Sequence, residues 1–289
     1  MLSFLITTIN SSTSILLGAL GILFMQLAGV LNIGAESMML IGAFVGVLGS
    51  SMFGNVWGGV LMTVVCVGIT GLVFGFCTIM MKANQVVVGV AFNILAEGLT
   101  TTLYRGVFGM QQGTLKVASF GRIGPFSLPV YFGFFLVIAL TIFFYKTKFG
   151  LEIRGAGEYP LAIDSMGLSV NKIRYISVVI GSIIIGLGGA YLSLGQLSFF
   201  TEDMVSGRGF IALAAVIFGR YLPIGTWLAV LVFGIGETLV YRLQAINCGI
   251  SLQLILMIPY VLTVVIVSFF GQKASGPQML GIPFDKDAQ

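Results

Sequence analysis

Long apolar stretches separated by short polar intervals run through almost the whole chain. Seven of them are long enough to cross the hydrocarbon core of a membrane, at about 20 residues per helical crossing. These stretches cover residues 12–31, 55–81, 84–104, 128–145, 175–194, 224–241 and 251–270. Two shorter apolar stretches, residues 37–48 and 206–219, lie between them. The pattern predicts an all-α, polytopic transmembrane helix bundle of about eight to ten spans.

The two shorter stretches indicate broken or re-entrant helices. The first follows a polar break from Asn32 to Glu36, and the second is too short to cross about 30 Å of hydrocarbon untilted. A helix that breaks at membrane depth needs neighbouring protein or a water-lined cavity for its freed backbone groups. Because the two interruptions occupy comparable places in the two halves of the chain, we expect an inverted repeat with the substrate path between them.

The only long polar interval between these spans, residues 150–174, follows two basic residues, Lys146 and Lys148. Clustered positive charge is typical of cytoplasmic loops. Pro160 favours the first position of a helix and Gly167 favours the left-handed residue that ends one, which predicts a helix of about two turns, roughly 10 Å long. Because so short a helix is not stable alone in water, its flanks or a partner must hold it. An ordinary solvated loop is the alternative.

Several polar side chains fall inside the predicted spans. Asn93, Glu97 and Thr101 are spaced four residues apart and therefore share one helix face. A carboxylate at membrane depth costs at least about 2.5 kcal/mol, so this face is expected to point to the bundle interior or to a substrate pathway. A hydrogen bond that merely holds two helices together explains the face equally well. Glu36 and Glu237 are the other carboxylates well inside the apolar regions.

The composition excludes a soluble domain and several kinds of site. The chain has 289 residues, of which 57% are hydrophobic and 8% charged, and its mean hydropathy is +1.07, whereas a soluble domain needs a charged surface. It contains no histidine, which removes His-ligated zinc and His-dependent catalytic pairs. Cys66 and Cys77 are too far apart on one helix for a disulfide, and Cys248 has no nearby cysteine in the sequence to pair with. Without a GxxxxGK loop, the chain itself cannot bind ATP in the usual way.

The net charge of +4 reflects loop asymmetry and does not indicate a nucleic-acid partner. If residues 150–174 are cytoplasmic, counting spans puts nine Lys and Arg residues inside and five outside, which supports that orientation. The inner ones are Lys82, Lys146, Lys148, Arg154, Lys172, Arg174, Arg220, Lys273 and Lys286, and the outer ones are Arg105, Lys116, Arg122, Arg208 and Arg242. Arg208 either anchors its element through neighbouring carbonyl groups or serves the outer gate.

We interpret the chain as a single transmembrane domain. Its first half covers residues 1–147, the cytoplasmic loop 148–174, the second half 175–270 and a polar tail 271–289. The tail is expected to be a disordered cytoplasmic end. The first apolar stretch lacks a basic region and a small-residue cleavage pattern, so it is interpreted as a span and not as a removed signal.

The cytoplasmic loop resembles the coupling loop of permeases in ATP-driven ABC importers of the nucleoside, simple-sugar and branched-chain amino-acid group. The residues that carry this resemblance are Glu152, Arg154, Gly157, Glu158, Pro160, Ala162 and Gly167. Two further stretches, LNIGAESMMLIGAF and GRGFIALAAVIFGRYLP, are similar to the nucleoside branch, and the Asn of the pattern NQVVVGVAFN recurs in the family. Gln26, Leu27 and Ser37 depart from the usual pattern of that branch, which leaves the substrate class open.

The resemblance implies that the loop inserts into a groove on a separate ATPase and that the chain carries a nucleoside or nucleobase by alternating access. It also implies a second related permease, an external lipid-anchored binding protein and a place in the bacterial cytoplasmic membrane, with no cofactor and no catalytic residue in this chain. Bulky side chains at Gly157 or Ala162 are expected to uncouple transport without unfolding the chain. The candidates for the substrate path are Asn32, Glu36, Asn93, Glu97, Gly207, Arg208 and Glu237.

Three alternatives stay open. A permease for simple sugars or branched-chain amino acids fits the same family pattern. A self-sufficient secondary transporter or channel would need ion-coupling carboxylates, for which Glu36, Glu97 and Glu237 are the candidates. An intramembrane enzyme is the third, although the sequence offers no evident pair of nucleophile and base.

Overall fold

A computed structural model describes residues 2–109, 117–246, 251, 254, 257, 261 and 276–285. Nearly all the regular structure in that part of the chain is helical. The helices are α1 (Leu2–Leu27), α2 (Ala35–Phe53), α3 (Val56–Gly75), α4 (Gln85–Phe108), α5 (Leu128–Lys146), α6 (Lys148–Glu158), α7 (Pro160–Ser165), α8 (Val170–Tyr191), α9 (Arg208–Phe218) and α10 (Pro223–Ile246). Two π-helical turns, π1 (Phe76–Met80) and π2 (Leu192–Leu197), continue α3 and α8, and β1 (Arg122–Ile123) pairs with β2 (Phe126–Ser127) in an antiparallel hairpin.

Seven helical segments within the described residues are long and apolar enough to cross a membrane: α1, α2, α3 with π1, α4, α5, α8 with π2, and α10. This confirms the predicted all-α polytopic bundle. Helix α9 has only 11 residues, which confirms the shorter element predicted for residues 206–219. Of the predicted span 251–270, the structure describes only residues 251, 254, 257 and 261. Lys116, Cys248, Lys273 and Lys286 also lie outside the described residues.

Side-chain caps set the start of two spans. The Asn55 side chain accepts a hydrogen bond from the N–H of Gly58 at 2.6 Å and so begins α3. The Asn84 side chain accepts from Val86 and Val87 at 2.9 and 3.2 Å and so begins α4. Asparagine in this position satisfies the N–H groups that the first helical turn leaves unpaired.

Helix α2 does not match the short element predicted for residues 37–48. It extends over 19 residues, enough to cross the membrane, so the expectation of a short element at residues 37–48 is wrong. The helix continues through Gly49, which allows a close approach to α3, since a Cβ there would lie 2.9 Å from the carbonyl oxygen of Gly58. The helix ends instead at Gly54, which has a φ of +65°. The polar break before α2 is confirmed, since residues 28–34 are not helical.

Helix α8 lies at the centre of the bundle and packs against α1, α2 and α3. Its glycines allow the helix backbones to approach closely. A Cβ on Gly181 would lie 2.6 Å from the carbonyl oxygen of Gly21 in α1, and a Cβ on Gly42 in α2 would overlap the backbone of Gly186. Small residues at helix crossings are the usual means of packing helices inside a membrane.

Helix α5 joins the two ends of the bundle, which we call the hairpin end and the α6–α7 end. At the α6–α7 end, Nζ of Lys82 lies 2.7 Å from Oδ2 of Asp285. Arg105 is near the other end of α4, where its guanidinium makes two hydrogen bonds of 2.7 and 2.8 Å to the carboxylate of Glu202. The structure therefore places Lys82 and Arg105 at opposite ends, as the charge count predicted.

Large apolar side chains are exposed along α3, α4 and α5, including Trp57, Leu61, Ile94 and Phe135. A soluble protein does not expose apolar surface on this scale. These helices therefore present a surface suited to lipid.

Candidate functional site

Two short helices form the α6–α7 end. Helix α6 begins after Thr147, whose Oγ1 accepts a hydrogen bond from the N–H of Gly150 at 3.0 Å. Helix α7 begins at Pro160 and is followed by Gly167 with a φ of +79°, which confirms both predicted limits. Helix α6 was not predicted, because its three glycines lower the intrinsic helix propensity of the segment.

The seven residues of the coupling motif differ in exposure. The exposed ones are Glu158, Ala162 and Gly167, the half-buried ones are Glu152 and Arg154, and the buried ones are Gly157 and Pro160. Exposed apolar side chains lie beside them, with Leu151, Tyr159, Leu161 and Met166 at 62, 62, 41 and 65% exposure. Because these short helices lie outside the predicted spans, this is a surface that a protein partner can cover.

Gly157 faces the bundle and not a partner. A Cβ on Gly157 would overlap the carbonyl oxygen of Leu27 and lie 2.9 Å from the backbone nitrogen of Gly29. The expectation that a bulky residue at Gly157 leaves the fold intact is therefore wrong. The contact also joins α6 directly to the break between α1 and α2.

The segment 276–285 packs against α6. The N–H groups of Gln278 and Met279 donate hydrogen bonds to Oε2 of Glu158 and to the carbonyl oxygen of Gly157, both at 3.0 Å. The expectation of a disordered tail is wrong for these residues, because α6 offers partners for their backbone groups. The flanking residues 271–275 and 286–289 lie outside the described part of the chain.

Arg174 in α8 binds both the tail and α6. Its Nη1 donates to the carbonyl oxygen of Ile282 at 2.8 Å and its Nη2 to that of Ala156 at 3.1 Å. Nearby, the N–H of Gly281 donates to the carbonyl oxygen of Gly29 at 3.1 Å. Segment 276–285 therefore ties α6, α8 and the break after α1 together.

Polar side chains of α4 hold the break between α1 and α2. Oε1 of Gln85 accepts a hydrogen bond from the N–H of Leu31 at 2.6 Å, and Oδ1 of Asn93 accepts one from the N–H of Ser37 at 3.0 Å. Asn32 is fully buried, with its Nδ2 3.2 Å from each of two methionine sulfur atoms. Neighbouring protein thus supplies partners for the freed backbone groups, as a broken helix requires.

Glu36 binds the start of α9. Its Oε1 accepts a hydrogen bond from the N–H of Gly207 and its Oε2 one from the N–H of Gly209, both at 2.7 Å. A carboxylate here pairs with N–H groups that have no partner within the helix, and it opposes the positive end of the helix dipole. This contact links the break before α2 to the half-length helix of the second half.

Arg208 begins α9 with its side chain largely buried, and its hydrogen bonds to neighbouring carbonyl groups are those of the predicted anchoring role. Its Nε lies 3.1 Å from Oε1 of Glu237, and the two side chains are only 14 and 11% exposed. Its Nη1 donates to the carbonyl oxygens of Met204 and Val205 at 3.0 and 3.3 Å, and its Nη2 to the hydroxyl of Tyr241 at 3.2 Å. Arg208 stays buried because each of its nitrogens has a partner.

Four of the seven substrate-path candidates therefore form one connected cluster: Glu36, Gly207, Arg208 and Glu237. Asn32 and Asn93 lie at the adjoining break. Glu97 is not part of this arrangement.

Glu97 is exposed on the outer surface of α4. The buried positions of α4 are Gln85, Gly89, Ala96, Thr100 and Tyr104. Glu97 follows Ala96 and is rotated by about 100° from that buried stripe. The expectation that it points into the bundle of this chain is therefore wrong.

A polar cavity of about 460 Å³ at the hairpin end was missed by the sequence reasoning. Asn10 of α1, Gln196 of π2 and Tyr241 of α10 contribute to its lining. The available signal was the polar run TTINSSTS at residues 7–14, which lies within α1 although the predicted span began only at residue 12.

The described residues contain no group of three or more His, Cys, Asp or Glu side chains placed to hold a metal ion. Cys66 and Cys77 are free thiols.

The chain is similar to known transport proteins along nearly its whole length. The guanosine ABC transporter permease protein NupQ of Bacillus subtilis is 35% identical over 96% of this chain and 95% of its own length. The nucleoside ABC transporter permease protein NupC of Lactococcus lactis is 29% identical over 95% of this chain and 94% of its own. The permease TsgC13 of Haloferax volcanii, with glucose as its suggested substrate, is 34% identical over 84% of this chain and 78% of its own.

The family model described as branched-chain amino acid transport system / permease component matches residues 4–267. No solved structure gives a significant match. One conclusion follows from the helices of membrane-spanning length, the similarity to ABC permeases and the extent of the family match. The chain is a multi-pass membrane protein and belongs to the permease-component family of branched-chain amino acid transport systems.

Proposed function

We propose that this chain is the permease subunit of an ATP-driven nucleoside importer in the bacterial cytoplasmic membrane. Similarity to two nucleoside permeases along almost the full chain carries this proposal. The substrate crosses by alternating access, in which the path opens first to one side of the membrane and then to the other. Because the chain has no GxxxxGK loop, ATP is bound and hydrolysed by a partner subunit.

Helices α6 and α7 couple the permease to that ATPase. The exposed side chains of Tyr159, Leu161 and Met166 form an apolar surface around α7. Burying a large apolar side chain in a partner's groove contributes about 1.5–3 kcal/mol. Three such side chains can therefore hold a two-turn helix that is not stable on its own.

Movement of α6 reaches the bundle through close contacts. The Gly157 backbone touches the carbonyl of Leu27, and Arg174 holds the carbonyl of Ala156. Packed groups this close do not move independently. Displacement of α6 therefore displaces the break before α2, where Glu36 holds the start of α9.

The proposed assembly contains three further kinds of subunit. These are the ATPase, a second related permease that completes the path, and an external lipid-anchored binding protein that delivers the substrate. The permease itself needs no cofactor. A simple sugar is the second candidate substrate, favoured by the similarity to the Haloferax volcanii permease, and a branched-chain amino acid is the third.

The coupling role is tested by the Ala162→Arg variant. Ala162 is exposed on α7, so the change does not disturb the bundle, but it brings an unpaired charge to the proposed ATPase contact. Burying such a charge costs several kcal/mol, and each 1.4 kcal/mol is a tenfold change in binding. We expect at least a tenfold loss of copurifying ATPase and of nucleoside uptake, with the melting temperature of the permease unchanged.

The matched control is Ala118→Arg, which adds the same charge to an exposed alanine near the hairpin end. It is expected to leave ATPase binding and uptake at the level of the unmodified chain. Normal ATPase association and uptake in the Ala162→Arg variant would refute the coupling role of α7.

A further inference from the structure

The polar cavity at the hairpin end lies between the two halves of the chain. It is bordered by α1 from the first half and by π2 and α10 from the second half, with β2 at its side. Its volume of about 460 Å³ lies in the range of small-molecule binding sites. Seven side chains give it its polar character: Thr7, Asn10, Ser11, Ser127, Tyr191, Gln196 and Tyr241.

The cavity is at the outer end of the proposed importer. Ser127 borders it and is followed directly by α5, which crosses to Lys146 just before α6. The cavity and the proposed ATPase contact therefore lie at opposite ends of one membrane-spanning helix. If α6 and α7 face the cytoplasm, the cavity faces the side from which an imported solute arrives.

The lining combines amide and hydroxyl groups. Nε2 of Gln196 donates hydrogen bonds to the carbonyl oxygens of Asn10 and Ser11 at 2.8 and 3.1 Å, so both halves of the chain meet at this side chain. With its amide protons used, Gln196 offers its Oε1 as an acceptor to a solute. The hydroxyl of Tyr191 donates to the carbonyl oxygen of Asn10 at 3.2 Å and accepts from Oγ of Ser127 at 3.3 Å.

No Asp, Glu, Lys or Arg side chain borders the cavity in the described part of the chain. A charged solute would lose hydration there without gaining an oppositely charged partner, which is strongly unfavourable. A neutral solute with N–H and O–H donors keeps its hydrogen bonds by exchanging water for amide and hydroxyl groups. The base and ribose of a nucleoside carry such donors, and the exposed ring of Tyr241 offers an apolar face to the base.

We propose that this cavity is the outer receiving site for the transported solute, and that it accepts a neutral nucleoside while excluding nucleotides and zwitterionic amino acids. This inference rests on the proposed importer function and identifies where and how its substrate is selected.

The cavity is also connected to the buried polar cluster. The hydroxyl of Tyr241, which borders the cavity, accepts a hydrogen bond from Nη2 of Arg208 at 3.2 Å. Arg208 pairs with Glu237, and the backbone on both sides of Arg208 is held by Glu36. A solute that contacts Tyr241 therefore acts on the side-chain network that joins α2, α9 and α10.

Thiol labelling tests whether the cavity opens to the outside and binds a nucleoside. Thr7 is exposed and borders the cavity, so Thr7→Cys is made in a chain whose native cysteines are replaced by serine. A membrane-impermeant thiol reagent is added from outside, with guanosine, guanosine monophosphate or leucine as the protecting solute. We expect Thr7→Cys to be labelled and guanosine alone to slow its labelling at least threefold.

The control is Ser119→Cys, on an exposed residue near the same end that does not border the cavity. It is expected to be labelled at the same rate with and without guanosine. Absence of labelling at Thr7→Cys, or labelling that guanosine does not slow, would overturn the site. Equal protection by leucine or by the monophosphate would overturn the selection for neutral solutes.

A second variant tests the amide directly. Gln196→Met keeps the length of the side chain but removes its hydrogen-bonding groups. We expect it to raise the guanosine concentration that halves the labelling rate of Thr7→Cys about threefold to tenfold. Gln244→Met, at a half-buried position of α10 that does not border the cavity, is expected to leave that concentration unchanged. An unchanged concentration in Gln196→Met would contradict the role of the amide.

Guanosine uptake by the unmodified complex separates failure of the site from failure of the proposed function. Uptake without protection at Thr7→Cys would refute the site and leave the importer in place. An ATP-driven complex that transports no nucleoside would refute the nucleoside function, and with it the inference.

Discussion

Glu36 binds two backbone N–H groups at the start of α9, one with each carboxylate oxygen, at 2.7 Å. In a Glu36→Gln variant one oxygen becomes an NH₂ group, which faces an N–H donor and leaves it unpaired. Loss of a hydrogen bond to a charged, largely buried group costs about 1.5–3 kcal/mol. We therefore expect a lower melting temperature for the purified permease in detergent.

Glu97→Gln is the matched control, because Glu97 is exposed on α4 and no side chain in the described part of the chain donates a hydrogen bond to its carboxylate. Its melting temperature is expected to stay at that of the unmodified chain. Equal melting of the Glu36→Gln and Glu97→Gln variants would contradict the role assigned to Glu36.

Residue chemistry predicted some positions well and others poorly. Pro160 and Gly167 were placed correctly, because their preferred backbone conformations act locally. Gly157 and Glu97 were misplaced, because the direction each faces depends on the rotation of its helix against neighbours distant in sequence. Spacing shows which residues share a face but not which face is buried.

Segment 276–285 acts as a strap across α6. Its backbone binds Glu158 and Gly157, and Arg174 holds it to α8. We predict that ending the chain after residue 275 makes the loop 148–174 more sensitive to trypsin, because α6 loses these partners and short helices depend on tertiary contacts. The rate of cleavage at Lys148 and Arg154 in the purified permease is the measurement.

The control for truncation is Asp285→Ala, which removes the ion pair between Asp285 and Lys82 but leaves the backbone of segment 276–285 in place. Both side chains are more than 40% exposed, and exposed pairs contribute at most about 1 kcal/mol. Cleavage of this variant is expected to match the unmodified chain. A truncated chain that trypsin cuts no faster than the Asp285→Ala variant would show that the strap does not hold α6.

The length of a helix was predicted correctly where the residues after its apolar run mark a clear end. The half-length α9 was predicted because Gly219 and Arg220 follow its short apolar run. Helix α2 was predicted too short, because the apolar run was ended before Gly49, Ser50 and Ser51, whereas the helix continues through them to Phe53. The order of segment 276–285 could not be predicted, since its polar composition gives no sign of the backbone partners that α6 supplies.

At the scale of the whole molecule, a continuous series of contacts joins the α6–α7 end to the cavity at the hairpin end. It passes from α6 to the break after α1, then through Glu36 to α9, and through Arg208 to Tyr241. The sequence predicted the bundle and most of these polar residues. It could not predict the cavity, because Asn10 and Gln196 come together only when helices 186 residues apart in the chain meet.

The central claim is that a partner ATPase, and not an ion gradient, drives nucleoside import through this chain. An ion-coupled transporter must change the charge or ligation of a membrane carboxylate in each cycle, whereas an ATPase-driven permease has no such need. The most direct measurement is guanosine uptake by the reconstituted complex, with ATP clamped and the proton gradient collapsed. We predict substantial ATP-dependent uptake under these conditions. Complete loss of uptake, together with accumulation driven by an imposed ion gradient without ATP, would contradict the account.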